Sequence, residues 1–550
     1  MQRKPWIPAV ALALAAWAPL SANESTWSEN AARNWDVAAW SPAGIPDGAG
    51  WIINIDRSSH TGNRNLTINT TSRTVGEIHA FGVPTSSRSN TLAASGDATL
   101  TLDNGTSPAR VTNEGLGNFT ISAPVLLVSN LELKNSPNVG AGQFLTLSGT
   151  VGSADAGLKT ITTIASDYTP ANLNDHRIVF SGSITDGAGQ VAVIHNSGNN
   201  LNIQTRTNTF SGGLTINSGA VQVSGDGDGK SYGDGALGAA NSAITFNGGS
   251  LVFTSADAEI VISERLTTLN AGGGTISANS ASGVVTWNGN VVGAGALTKG
   301  GAGTVILANA NNAYQGGTAV NGGTLVAAHN SSLGTGAVTV NAGTLSLASG
   351  VSLANNIRLD FDGKLTSTTS ATLLGRVSGI GTIGSEAGAL NFAAGSVLAP
   401  GGELPGILNV EGEVMLQAGS VFQWQLAALS EAAAGQSFSQ IVIAEGGYLN
   451  IANGAMLDLV FGNGLAPHGG DAFWSENHSW LIVAGNNVSN GLFDIDNSAW
   501  SDVGWFYTTL VDGGVALNWT AAAIPEPSTY AAIFGGLALI GVMIMRRRRA

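Results

Sequence analysis

Asn312-Ala-Tyr-Gln-Gly-Gly-Thr-Ala-Val-Asn-Gly-Gly-Thr-Leu, residues 312–325, repeats with few changes the earlier stretch Asn208-Thr-Phe-Ser-Gly-Gly-Leu-Thr-Ile-Asn-Ser-Gly-Ala-Val, residues 208–221. A second pattern, Ala243-Ile-Thr-Phe-Asn-Gly-Gly-Ser-Leu-Val-Phe, returns as Ala337-Val-Thr-Val-Asn-Ala-Gly-Thr-Leu-Ser-Leu. In each, alternating apolar residues lead into Asn-x-Gly and alternating apolar residues follow. Val338 and Val340 precede the turn at Asn341 to Gly343, and Leu345 and Leu347 come after it. A period of two turns one face of a strand inward, and Asn and Gly tolerate the left-handed backbone of a corner. Asn321 to Asn341 is 20 residues, one turn of a β-solenoid. Asn217 to Asn247 is 30, the excess being the polar stretch Ser224 to Gly235, a loop. Each coil covers its neighbour's open edge. The expected class is all-β.

Composition agrees with this reading. The 550 residues include 76 glycines and no cysteine, and only 11% are charged. Twice the usual glycine, with few Lys and Glu, disfavours helices. Hydrophobic content of 43% argues against disorder. Without cysteine there is no disulfide and no thiol chemistry.

Both ends read as addresses. Residues 1–22 have the parts of a secretory signal peptide: Arg3 and Lys4, an apolar stretch Ile7 to Leu20, and Ser21-Ala22 before a cut near Asn23. At the other end, Pro525-Glu526-Pro527 precedes an apolar run from Tyr530 to Met545, long enough for a short membrane helix. Arg546, Arg547, Arg548 and Arg549 follow, holding the terminus on the cytoplasmic side. Removing both ends takes six of 22 basic residues and leaves 16 against 36 acidic ones, a net charge near −20. Such a surface repels phosphate backbones, so nucleic acid is not an expected partner.

The order Pro-Glu-Pro, short apolar helix and terminal arginines resembles the PEP-CTERM sorting signal over residues 525–550. The resemblance implies a Gram-negative type of bacterium, passage through the inner membrane and processing by an exosortase-type enzyme. It also implies an association with exopolysaccharide and biofilm. The stretch Gly293-Ala-Gly-Ala-Leu-Thr-Lys-Gly-Gly-Ala-Gly-Thr-Val-Ile-Leu, running on to Tyr314-Gln-Gly-Gly-Thr, resembles the autotransporter-associated β-strand repeat. With a weaker copy near Phe210 it covers roughly residues 200–350. That resemblance implies a right-handed parallel β-helix of the autotransporter passenger kind. Autotransporters end in a membrane barrel of at least about eight strands. No lipid-facing series of that kind precedes the tail, so self-secretion is not expected.

The expected organisation is a signal peptide at 1–22, an N-terminal cap at 23–60, a solenoid at 61–395, a C-terminal β cap at 396–520 and a sorting tail at 521–550. Trp27, Trp35, Trp40 and Trp51 read as an aromatic cap over the first coil, the alternative being a carbohydrate-stacking platform.

Chemistry-bearing groups are sparse. His60, His195 and His329 sit among Asn and Ser and read as surface turn residues. Pro467-His468-Gly-Gly-Asp471 with Glu476 and His478 is the densest group of candidate metal ligands, but its spacing fits no zinc signature. Gly225 to Asp234 suggests a calcium loop, but Lys230 stands where an oxygen ligand belongs and the closing Glu is missing. Asp360 with Asp362, and Asp494 with Asp496, are carboxylate pairs by proximity only. The expectation is a non-enzymatic exported surface or matrix protein with no catalytic, metal or cofactor site. Its partners would be an exosortase-type processing enzyme, exopolysaccharide and, before processing, the inner membrane. A polysaccharide-active enzyme and a glycan-binding adhesin are the alternatives.

Overall fold

The computed structural model describes residues 23–82, 89–115, 117–136, 143–166, 176–223, 234–254, 259–489 and 491–522. The signal peptide, the tail from Pro525 to Arg549 and most of the 224–235 stretch lie outside the described residues. Among the described residues there are strands, turns and two 3-10 turns, Trp35–Val37 and Asp234–Leu237. No helix among them is long and apolar enough to cross a membrane. Two compact units divide the chain, Met1–Asn202 and Ile203–Ala550.

In the first unit, parallel strands stack in three sheets. One sheet runs through Glu24–Trp27, Ile52–Asp56, Glu77–Phe81, Ala109–Asn113, Leu131–Asn135, Leu158–Thr163 and Gln190–His195. Its register builds an inward column Ile53–Ile78–Val111–Leu133–Thr163–His195. The second sheet stacks Leu66–Leu92–Ile121–Leu147–Phe180, and the third Val75–Leu102–Leu127–Ser153. Like sits on like, so each coil buries its apolar face against the next. Trp27, Trp35 and Trp40 are buried, so their rings pack inward instead of offering faces to a ligand. Trp40 pairs antiparallel with Trp27 at the start of the coil.

The second unit repeats the scheme. One column runs Val221–Leu251–Ile276–Lys299–Val320–Val340–Leu359. A neighbour runs Val285–Val305–Leu325–Leu345–Leu365–Ile383. Val305, Leu325, Leu345 and Leu365 are each 20 residues apart, and Leu214 pairs with Ile244 across 30, so both spacings read from the sequence are coil lengths. The 20-residue register is visible in a side-chain bond, with Asn341 Nδ2 donating to Asn321 Oδ1 at 2.7 Å.

The corners differ from the expectation in one respect. Glycine supplies the left-handed conformation at the repeat corners, as at Gly323 (φ +58°) and Gly343 (φ +84°). Ala433 is the one non-glycine residue with positive φ among the described residues. A β-carbon on Gly343 would collide with the Gly323 carbonyl, since neighbouring coils meet there backbone to backbone. Asparagine contributes its amide, not its backbone.

Parallel pairing continues through Val397–Pro400, Val421–Leu426 and Met456–Phe461. Antiparallel pairing begins at His478–Ala484, which pairs with Gly514–Ala521, itself paired with Gly504–Val511. Here the aliphatic core gives way to aromatic rings: Trp474, Trp480, Phe506 and Trp519 pack at centroid distances of 4.7 to 6.5 Å.

Candidate functional site

Several bases that could serve chemistry hold the scaffold instead. His195 and His60 are buried, which corrects their reading as surface turn residues; His329 is exposed in a turn. His195 ends the strand Gln190–His195, its Nδ1 2.6 Å from Thr163 Oγ1 and its Nε2 2.9 Å from the Asn199 carbonyl. Burial pushes it down to about 4, so it is neutral near pH 7. His60 lies edge-on to Trp27 and reaches Asn90 at 3.3 Å. The error has a physical source: Asn and Ser around a histidine signal a corner, but a solenoid corner turns side chains inward as well as out.

Lys299 and Arg57 are buried cations bound to backbone carbonyls. Lys299 Nζ donates to Gly301, Gly303 and Gly322 at 2.8, 2.5 and 2.7 Å, matching three N–H donors with three acceptors. Burial draws the ammonium down to about 8, which still leaves it charged near neutrality. Arg57 donates to the Phe81, Gly117 and Ala80 carbonyls and to Asn113 Oδ1, and burial lowers it to about 10.

The His468–His478 group does not converge. His468 Nε2 lies 3.5 Å from Asp471 Oδ2 beside a hollow of about 230 Å³. His478 turns away, bonding Glu431 at 2.6 Å and the Phe473 carbonyl at 2.6 Å, with its ring stacked on Phe473 at 3.7 Å. No group of three potential metal-ligating side chains occurs among the described residues. Asp362, Asp494 and Asp496 are exposed, and Asp360 pairs with Arg358 at 3.0 Å. Residues 225–233 of the calcium-loop candidate lie outside the described residues.

Sequence reasoning missed a trough on the outward face of the second unit. Arg376 pairs with Val397, Val397 with Val421, and Val421 with Met456, all half-buried. Beside this stripe, Arg376 Nη2 donates to Gln423 Oε1 at 2.7 Å, and Gln423 Nε2 donates to Asp458 Oδ2 at 2.9 Å. Arg376 lines a hollow of about 650 Å³, and Val397, Val421, Gln423 and Met456 line another of about 540 Å³. The first is walled by Glu403 and Leu404, the second by Asp496 and Trp500.

The family model described as passenger-associated-transport-repeat matches residues 200–223 and 297–327. The second segment contains Lys299 and the strands Leu297–Gly300, Thr304–Leu307, Thr318–Val320 and Thr324–Ala327. The chain is 41% identical over 78 residues to the adhesin BmaC autotransporter of Brucella suis biovar 1 (strain 1330), covering 14% of this chain and 2% of that protein. No solved structure matches the chain.

Proposed function

We propose that this chain is an exported, non-enzymatic surface or matrix protein, wound as a right-handed parallel β-helix. Right-handed winding is the sense that twisted parallel strands favour. The observation that carries the reading is the stacking of inward columns within each unit, in which His195, Lys299 and Arg57 bond corners and neighbours. The passenger-repeat match and the likeness to part of an adhesin support a place outside the cell. In this reading residues 1–22 direct export, and Pro525, Glu526, Pro527 and Arg546 to Arg549 present the chain to an exosortase-type enzyme. The tail rests briefly in the inner membrane before processing, and the mature protein associates with exopolysaccharide.

Terminal-peptide mass spectrometry of the native protein, with protease shaving of intact cells, tests this. The expected mature chain begins near Asn23, lacks Arg546 to Arg549 and is cleaved by external protease. A surface protein that keeps its arginine tail would remove the sorting step, and a chain resistant to shaving would remove the surface location.

A further inference from the structure

We propose that the outward face of strands Arg376–Gly379, Val397–Pro400, Val421–Leu426 and Met456–Phe461 binds a neutral, linear, hydroxyl-rich polysaccharide laid across the strands. The ligand class deepens the surface-protein reading and rests on it for the ligand's source; the site rests on geometry. Outward positions on a coil are ordinarily polar, yet here Val397, Val421 and Met456 form a half-buried apolar stripe. Alongside it the Arg376–Gln423–Asp458 chain offers planar donors and acceptors already aligned by mutual hydrogen bonds. An apolar strip for sugar C–H faces beside fixed polar groups for hydroxyls is the chemistry that recognises a glycan. Trp500 lines the far hollow; its ring packs at 5.4 Å against both Phe461 and Phe506 and is held in place. Four strands at the usual ~4.8 Å spacing give a trough of roughly 14 Å, room for a short run of sugar rings.

Other occupants fit less well. A peptide strand would need a free sheet edge, but Val397–Pro400 is hydrogen-bonded on both sides, to Arg376–Gly379 and Val421–Leu426. An amphipathic helix needs a broad apolar groove, and the stripe is one residue wide. A uronate chain meets Arg358 and Arg376 but also Asp360, Glu403, Asp458 and Asp496, on a chain of net charge −14. Arg376 has no carboxylate partner among the described residues and bonds an amide instead, as a group meant for hydroxyls would.

Biolayer interferometry of the purified full-length chain on linear β-glucan, xylan, mannan, alginate and polygalacturonate tests this. At least one neutral polymer should bind, with an affinity little changed between ~0.1 and ~1 M salt. Gln423→Ala and Trp500→Ala should each weaken it by about tenfold or more, while Tyr448→Ala, an exposed aromatic on another sheet, should not. Gln423 is a half-buried surface side chain, so its variant keeps the test sound if Trp500→Ala folds poorly. The site is overturned if no neutral polymer binds, if the uronates bind and salt abolishes it, or if both trough variants bind like wild type. Shaving of intact cells with the Gln423→Ala strain separates the two claims. Loss of binding with retained surface exposure concerns the trough alone, and loss of exposure in the unaltered chain concerns the surface reading.

Discussion

His195 and Lys299 occupy the same kind of place, an inward position in a column built mostly from Ile, Val and Leu. The two groups solve the problem of burial in opposite ways. Lys299 keeps its charge because three carbonyl oxygens surround it. His195 gives its charge up, since its partners are a hydroxyl and one carbonyl. The folded-state value of about 4 lies below the ordinary 6.5, so the unfolded chain binds the extra proton between those limits. Stability from this group is therefore complete above about pH 6.5 and falls away as pH drops to about 4, by about 3 kcal/mol in all. We expect His195→Gln, which keeps a donor and an acceptor, to flatten the wild-type loss of stability over that window. Chemical denaturation at pH 4.5 and pH 7 measures it; equal pH dependence in the two proteins would show that His195 does not titrate as its burial requires.

Strand Gly504–Val511 poses an edge problem at the next scale. It pairs with Gly514–Ala521 on one side, and neither strand carries a charged residue. A long uncharged edge with exposed Trp505 and Tyr507 invites pairing with another chain. Asn497 blunts it: its Oδ1 accepts from the Phe506 amide at 2.6 Å and its Nδ2 donates to the Phe506 carbonyl at 2.9 Å. One side-chain amide thus imitates a strand partner. Asn497→Ala should lower stability by about 1 to 2 kcal/mol and make association concentration-dependent. Sedimentation velocity over a dilution series reads the second effect, and an unchanged distribution would mean that the edge is protected elsewhere. The same scale shows what the sequence discloses. Coil length was legible because Asn-x-Gly recurs at one corner of successive coils, and Asn321 and Asn341 bond each other across one coil. The trough was not, because Gln423 and Asp458 are 35 residues apart in the chain and become neighbours only through the register of two strands. No local pattern carries that register where coil length drifts from 20 residues. His195 was misread for a related reason: its column partners lie 32 and more residues away.

Over the whole molecule, charged groups decide whether catalysis has anywhere to happen. Of the 22 Lys and Arg residues, Arg57, Arg265 and Lys299 are buried against backbone carbonyls. Others face carboxylates at the surface, as in Arg110 with Glu132 at 2.6 Å and Lys364 with Glu411 at 3.0 Å. A glycan-cleaving site needs two carboxylates converging on one bond, one of them held protonated by its surroundings. Among the described acids, Glu29 and Asp496 have carboxyls lowered from the ordinary value, Glu29 through bonds from Ala39 and Arg33 that outweigh its burial, and Asp496 through Ser498. Both shifts favour the ionised form, the reverse of what a general acid requires. The hollow beside His468 and Asp471 is the remaining candidate, and His478 turns away from it to bond Glu431. We therefore expect no turnover of polysaccharide, ester or peptide by the full-length chain, with or without added Ca²⁺ or Zn²⁺. A substrate panel that includes the host's own exopolysaccharide is the measurement. A reproducible activity that disappears in Asp471→Ala would replace the scaffold reading with an enzyme centred on that hollow, and one that disappears in His478→Ala would place it at the Glu431–His478 pair. An activity lost in Gln423→Ala would instead make the trough a substrate cleft, because binding along the coil face would then lead to bond cleavage.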